Sequence, residues 1–157
     1  GVFTGELMRH ADWVGDHIVG LAAHLNQPLS IRHGDCRTDN MLFTDAGLVM
    51  IDFGVTGSGR PAGDVAYLLS ESIPPGPEAR ATFLRLCREY HDRLVAAGVV
   101  DHPLDEFLND CDIVLAVQAY RVVLIEAAFE ADYEGESLAH LWGPRVRSLL
   151  ADGLPRL

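Results

Sequence analysis

The sequence predicts a mostly α-helical domain carrying one small β-hairpin, and three observations lead there. Apolar residues recur at helical spacing over most of the chain, and one pair of short β-prone runs flanks Asp45-Ala46-Gly47. The length, 157 residues with 48% hydrophobic and 22% charged, suits a single domain covering residues 1–157. A chain of this size buries roughly two-thirds of its unfolded surface, and no low-complexity tract argues for disorder. The formal net charge of -11 disfavours nucleic acid as a partner, because the protein as a whole repels a phosphate backbone. No uninterrupted apolar run approaches the ~18 residues of a membrane span. The most apolar stretch, Ile113 to Phe129, is broken by Gln118, Arg121 and Glu126 and reads as a buried helix. Cys36, Cys87 and Cys111 match neither a disulfide framework nor a zinc spacing, which points to a reducing, cytoplasmic setting.

Leu7, Ala11, Val14, Ile18, Leu21 and Leu25 place an amphipathic helix over about residues 4–25, ended by Asn26-Gln27-Pro28. The chain opens inside this helical pattern, with no signal peptide before it, and so reads as truncated. A short apolar piece, Leu29 to Ile31, leads into the polar run His33 to Asn40. Two strands follow, Met41 to Thr44 and Leu48 to Ile51, around a three-residue loop whose last residue, Gly47, accepts a left-handed conformation. Residues 53–63 read as irregular and glycine-rich. The remainder, 64–151, reads as helices over 64–72, 77–97, 104–131 and 137–151, separated by Pro74-Pro75-Gly76-Pro77, Gly98 to Pro103 and Tyr133-Glu134-Gly135.

The residues able to do chemistry gather around the hairpin. With Asp45 to Gly47 as the loop, Thr44 pairs with Leu48 and Asn40 faces Asp52 across the ladder. Directly opposed Cβ atoms lie about 5 Å apart, so a carboxylate and an amide oxygen there could share a hard cation such as magnesium. Asp35, on the loop before this pair, could orient a hydroxyl and accept its proton. The plainer reading makes Asp35 and Asp52 solvated turn carboxylates. Asp64 reads as the N-cap of a helix starting at Val65, with a possible second role in holding the loop.

His33-Gly34-Asp35 with Asn40 five residues after the aspartate, then Ile51-Asp52-Phe53, then Gly59 and Asp64 before Val65-Ala66-Tyr67-Leu68-Leu69, resembles the aminoglycoside phosphotransferase and choline-kinase-like family. Arg37 to Phe43, with Ser70-Glu71-Ser72 before a proline-rich turn, is most similar to its ecdysteroid-kinase-like branch. Three motifs in order at compatible spacing carry this resemblance. It implies a protein-kinase-like (α+β) fold represented by its C-terminal lobe, with catalytic loop 33–40 and metal-binding hairpin 40–54. It also implies ATP as phosphoryl donor, a small-molecule hydroxyl as acceptor and Mg2+ as cofactor. Asp35 would then be the catalytic residue and Asn40 and Asp52 the metal ligands, while His33 and Asp64 support the loop. Arg37 stands where a cation could meet the transferred phosphoryl group, or it could simply pair with Asp39. The nucleotide-binding N-terminal lobe is expected to be absent. The twelve basic residues are all arginine, so no lysine exists to clamp phosphates, and the chain alone is expected to be inactive.

Other features read more simply. Gly54 to Gly59 lacks the Lys-Ser/Thr of a phosphate loop and stands as an activation-segment equivalent. His10, His17 and His24 recur every seven residues, too far apart for one metal, and suggest one exposed or half-buried helix face. Glu126, Glu130, Asp132, Glu134 and Glu136 form an acidic run that could attract a cationic substrate or simply be solvated. Asp112, Gln118 and Arg121 could line an acceptor pocket. Two further readings are an assembly module that dimerises through the lobe face, and a metal-dependent hydrolase using His33, Asp35 and Asp52.

Overall fold

Helix α4 (Leu104–Ala128) is apolar nearly all round, and in the computed structural model the other helices pack onto it. The structure describes residues 5–27, 30–128, 132–133 and 136–157. In chain order the elements are α1 (Gly5–Leu25), β1 (Ser30–Arg32), a single 3-10 turn (Thr38–Asn40), β2 (Met41–Thr44), β3 (Gly47–Met50), β4 (Gly57–Gly59), α2 (Ala62–Ser72), α3 (Ala79–Ala96), α4, β5 (Asp132–Tyr133), β6 (Glu136–Ser137) and α5 (Leu138–Leu149). A helix hydrophobic on every side must be buried on every side. Phe107, Cys111, Leu115 and Ala119 of α4 therefore meet Ala62 and Ala66 of α2, Phe83 and Cys87 of α3 and Leu149 of α5 in one core. Ile113 and Ala116, on another face, meet Val14 and Leu21 of α1. Phe83 and Phe107 are fully buried, and truncating either to alanine would cost about 3–5 kcal/mol. No described helix is long and apolar enough to cross a membrane.

The helices lie close to their predicted positions, with α2 starting two residues earlier than expected. Residues 129–131, the predicted end of the long helix, lie outside the described residues. The three small sheets depart further from expectation. Thr44 pairs with Gly47, not with Leu48, so the turn is Asp45-Ala46 and the register shifts by one residue. Two-residue loops are the commonest hairpin connections, and Gly47, at φ 122°, takes the first paired place on β3. The Thr44 hydroxyl also donates to the Gly47 carbonyl at 2.9 Å. A one-residue slip exchanges the faces of every side chain. Ile51 rather than Asp52 therefore lies opposite Asn40, and the Ile51 N–H donates to the Asn40 carbonyl at 3.0 Å.

The glycine-rich segment is also not irregular throughout, because β4 pairs antiparallel with β1 in the register Ser30↔Gly59 and Arg32↔Gly57. Glycine is needed there. A Cβ on Gly59 would stand 2.5 Å from Arg32 Nε and 2.6 Å from the Leu25 carbonyl oxygen. The heptad histidines do not share one environment either. His10 is buried with Nδ1 donating to the Glu6 carbonyl, His17 is exposed, and His24 is half-buried.

An ionic cluster locks these pieces together. Asp110 of α4 is wholly buried, and its carboxylate accepts from Arg60 at 2.9 Å and from His24 Nε2 at 2.6 Å. The same Arg60 Nη1 meets Glu106 at 2.5 Å, Arg60 Nε donates to the His24 carbonyl, and Arg60 N donates to that of Leu25. Removing one member of a buried pair strands the other charge, a loss of about 3–5 kcal/mol. Urea unfolding should show Arg60→Met destabilised by that amount. Arg60→Met with Asp110→Leu should regain most of the loss, and equal stability of wild type and Arg60→Met would remove this cluster from the account.

Candidate active site

Strand β1 delivers the chain to His33, and the loop that follows is held from three sides. From α2, the Asp64 carboxylate accepts the backbone N–H groups of His33 (2.6 Å) and Gly34 (2.9 Å). Asp64 is not the N-cap: α2 begins at Ala62 behind Pro61, and Asp64 sits in its first turn. Because the helix starts earlier, the carboxylate is free to reach the loop. From the hairpin exit, the Ile51 carbonyl accepts from His33 Nε2 at 2.8 Å, so that nitrogen carries the ring proton. The His33 ring also lies against Phe53, centroids 4.6 Å apart. Gly34, at φ +87°, fills the third contact, since a Cβ there would collide with the Val55 carbonyl oxygen.

This support leaves Asp35 half-buried with both carboxylate oxygens engaged. Asn40 Nδ2 donates to Oδ2 at 2.9 Å and also to the Asp35 backbone carbonyl at 2.9 Å. The Tyr67 hydroxyl of α2 donates to Oδ1 at 3.0 Å. Arg37 Nε stands 3.4 Å from Oδ2, and Arg37 Nη1 is 3.5 Å from Asp39, so Arg37 bridges the two acids. Burial raises the Asp35 pKa, but hydrogen bonds from Tyr67 and Asn40 and the charges of Arg37 and Arg121 outweigh it and hold the carboxyl below its usual range. Burial, reinforced by the Glu71 charge, pushes the Tyr67 phenol up to about 12, so it remains a donor. Burial also raises the carboxyl of Glu71, one helical turn beyond Tyr67.

Asn40 and Asp52 are not opposed, and their settings differ. Asn40 is buried with its nitrogen turned to Asp35, which leaves the amide oxygen without a protein donor among the described residues. Asp52 is exposed, takes a left-handed backbone at φ 60°, and has no ion pair among the described residues. Aspartate is one of the few residues that tolerate this conformation. It turns the chain out of the ladder and so redirects the carboxylate. An amide oxygen and a carboxylate are donor types that suit a hard cation such as Mg2+.

His33, Asp35 and Asp52 form no metal-ligand cluster among the described residues, and His33 Nε2 is committed to a carbonyl. The described residues bring one such trio together, His102, Glu106 and Asp110, with ligand atoms within 4.8 Å. There the Arg60 guanidinium already lies on both carboxylates and takes the cation's place.

Of the residues predicted to line an acceptor pocket, Gln118 and Arg121 lie beside Tyr67: Arg121 donates to Gln118 Oε1 at 3.2 Å, and its guanidinium carbon is 5.1 Å from the Tyr67 ring centre. Asp112 does not join them. It forms a two-bond pair with Arg80, 2.6 and 3.1 Å, on the α3 side. In the acidic run, Glu130 and Glu134 lie outside the described residues. Sequence reasoning passed over Tyr67 as part of an apolar helix. Its position three residues after Asp64, on the same helix face, was the available signal, because a buried phenol needs a partner.

The geometry joins a gripped loop to an adjoining hairpin. The model of the phosphotransferase enzyme family matches residues 8–96, from α1 to the end of α3. The chain belongs to this family. No curated protein and no solved structure matches it.

Cys36 lines a cavity of about 460 Å³ with Val65, Leu68, Leu69, Leu86 and Tyr90. Burial and the charges of Asp64 and Asp35 push its thiol up to about 11. The thiolate is the reactive form, so at pH 7–8 Cys36 should be alkylated by iodoacetamide about 100-fold more slowly than an unperturbed thiol. The rate should rise about tenfold per pH unit up to pH 9. Mass spectrometry of the native chain reads this directly, and rapid labelling at pH 7 would contradict it.

Proposed function

We propose that the chain is the catalytic C-terminal lobe of an ATP-dependent small-molecule kinase, transferring the γ-phosphoryl group to a substrate hydroxyl. The observation that carries this reading is the Asp35 carboxylate, held on both oxygens by Asn40 and Tyr67 in a loop that Asp64 grips. Family membership supports the reaction class. The motif residues from Arg37 to Phe43 and the Ser70-Glu71-Ser72 segment support the ecdysteroid-kinase-like branch.

In this reading Asp35 accepts the hydrogen bond of the acceptor hydroxyl and aims its oxygen. Phosphoryl transfer passes through a loose transition state, so positioning matters more than strong basicity, and a carboxyl of lowered pKa suffices. Arg37 faces the charge spread over the transferred group, and His33 and Asp64 keep the loop in shape. Asn40 and Asp52 would hold Mg2+, which supplies charge neutralisation on the phosphate oxygens. The nucleotide's other contacts belong to an N-terminal lobe. Exposed Leu42, Phe43, Leu48, Val49, Phe53 and Val55 on and beside the hairpin offer that lobe an apolar seat. A cytoplasmic setting and a hydroxylated small molecule as partner complete the reading.

Calorimetric titration with Mg2+ and a non-hydrolysable ATP analogue tests it, with Asp52→Ala as control. Binding that needs both the metal and Asp52 is expected, and binding indifferent to Asp52→Ala would remove the metal role. Should this chain bind nothing, the same variants go into a form carrying the N-terminal lobe. There Asp35→Ala should abolish most turnover with the fold intact, and near-normal turnover would sink the assignment.

The apolar hairpin favours one second reading, an assembly module that dimerises through this face. Light scattering showing mass that grows with concentration, together with no phosphoryl transfer when a partner lobe is supplied, would favour it.

A further inference from the structure

We propose that Tyr67 is a positioning residue for Asp35, a role that rests on the phosphotransferase reading above: its hydroxyl pins Oδ1 while the Asn40 amide pins Oδ2. A carboxylate held by one donor can still turn about its Cβ–Cγ bond and about χ1. Two donors from two different elements remove both freedoms. The Asn40 contact arises within the loop, five residues along the chain, whereas the Tyr67 contact comes from α2 and ties Asp35 to the helical core. Each carboxylate oxygen has two acceptor sites, so one donor on Oδ1 leaves capacity there for an incoming hydroxyl. Oδ2 is more crowded, with Asn40 at 2.9 Å and Arg37 Nε at 3.4 Å.

Tyr67 is built to hold still. Its side chain is buried, and its carbonyl accepts from the Ser70 hydroxyl at 2.7 Å. Arg121 of α4 lies over the ring, itself bonded to the buried Gln118. The chain of contacts Gln118–Arg121–Tyr67–Asp35 thus runs from the central helix to the reacting carboxylate. Tyr67 acts through the bond of its hydroxyl to Asp35. Pre-arranged geometry of this kind accelerates a step whose barrier is mainly one of positioning, and an ångström of misplacement is enough to be felt in the rate.

Tyr67→Phe keeps the ring, its burial and the Arg121 contact, and deletes only the donor. The first measurement is the set of three-bond couplings that report χ1 of Asp35 in the isotopically labelled chain, which needs neither metal nor substrate. Wild type should show one rotamer and Tyr67→Phe a mixture; one unchanged rotamer in both would overturn the proposal. The second is magnesium-dependent ATP hydrolysis. Tyr67→Phe should lower kcat about tenfold with KM for Mg·ATP unchanged, kcat being referred to the folded fraction measured by circular dichroism so that loss of fold is separated from loss of rate. An unchanged kcat beside an inactive Asp35→Asn would refute Tyr67 alone. Full turnover in Asp35→Asn would refute the phosphotransferase reading, with the rotamer data still deciding whether Tyr67 orders Asp35. If the chain hydrolyses no ATP, the couplings decide.

Discussion

A single ion pair between Asp110 and Arg60 sets the frame in which everything else is placed. With no exposed surface, the Asp110 carboxylate has no water to fall back on, so its partners must stay where they are. That requirement acts at a distance. Arg60 lies between β4 and α2, and its backbone and side chain also seize the last carbonyls of α1. Tying Arg60 to α4 therefore fixes where α2 begins. The first turn of α2 in turn decides where the Asp64 carboxylate meets the loop. The loop from His33 to Asn40 inherits its position from this cluster.

Asp64 and Asp35 show how one residue type serves two purposes. Asp64 has its two oxygens on the successive N–H groups of His33 and Gly34. Its charge goes into shaping backbone, as at other anion-binding turns. Asp35 is met by side chains, Asn40 and Tyr67, which constrain its direction without exhausting its capacity. The difference follows from surroundings rather than from identity, because in the sequence the two aspartates look alike.

Helical periodicity made the five long helices legible, whereas His33, Asp35, Asn40, Asp52 and Asp64 stood out through the family resemblance and through a hairpin register that lies one residue away from the true one. The hairpin register was not legible. Gly47 fits equally the end of a three-residue loop and the first place of β3, and only the Thr44–Gly47 pairing decides. Strand β4, Gly-Ser-Gly, has no alternation to read, since its pairing depends on missing side chains rather than on present ones. The Asp64 cap was misread because a helix start can move by two residues without changing the apolar pattern. Tyr67 hid in a run of core residues. Its hydroxyl bonds an acid 32 positions earlier, and the helix-face spacing from Asp64 hints at the site without naming that partner.

Residues 51–58 are all exposed, yet both ends of this stretch are anchored, by the His33–Ile51 contact on one side and by β4 and Arg60 on the other. A strap of that kind is a natural place to divide the protein in two. A break there would leave α1, β1, the loop and the hairpin on one fragment and α2 to α5 on the other. The interface between the halves would already hold the α1–α4 packing, the β1–β4 pairing and the grip of Asp64. Two separate halves of the chain would then recover the Asp35–Tyr67 contact only on meeting, which makes the strap a ready-made point for building a split reporter.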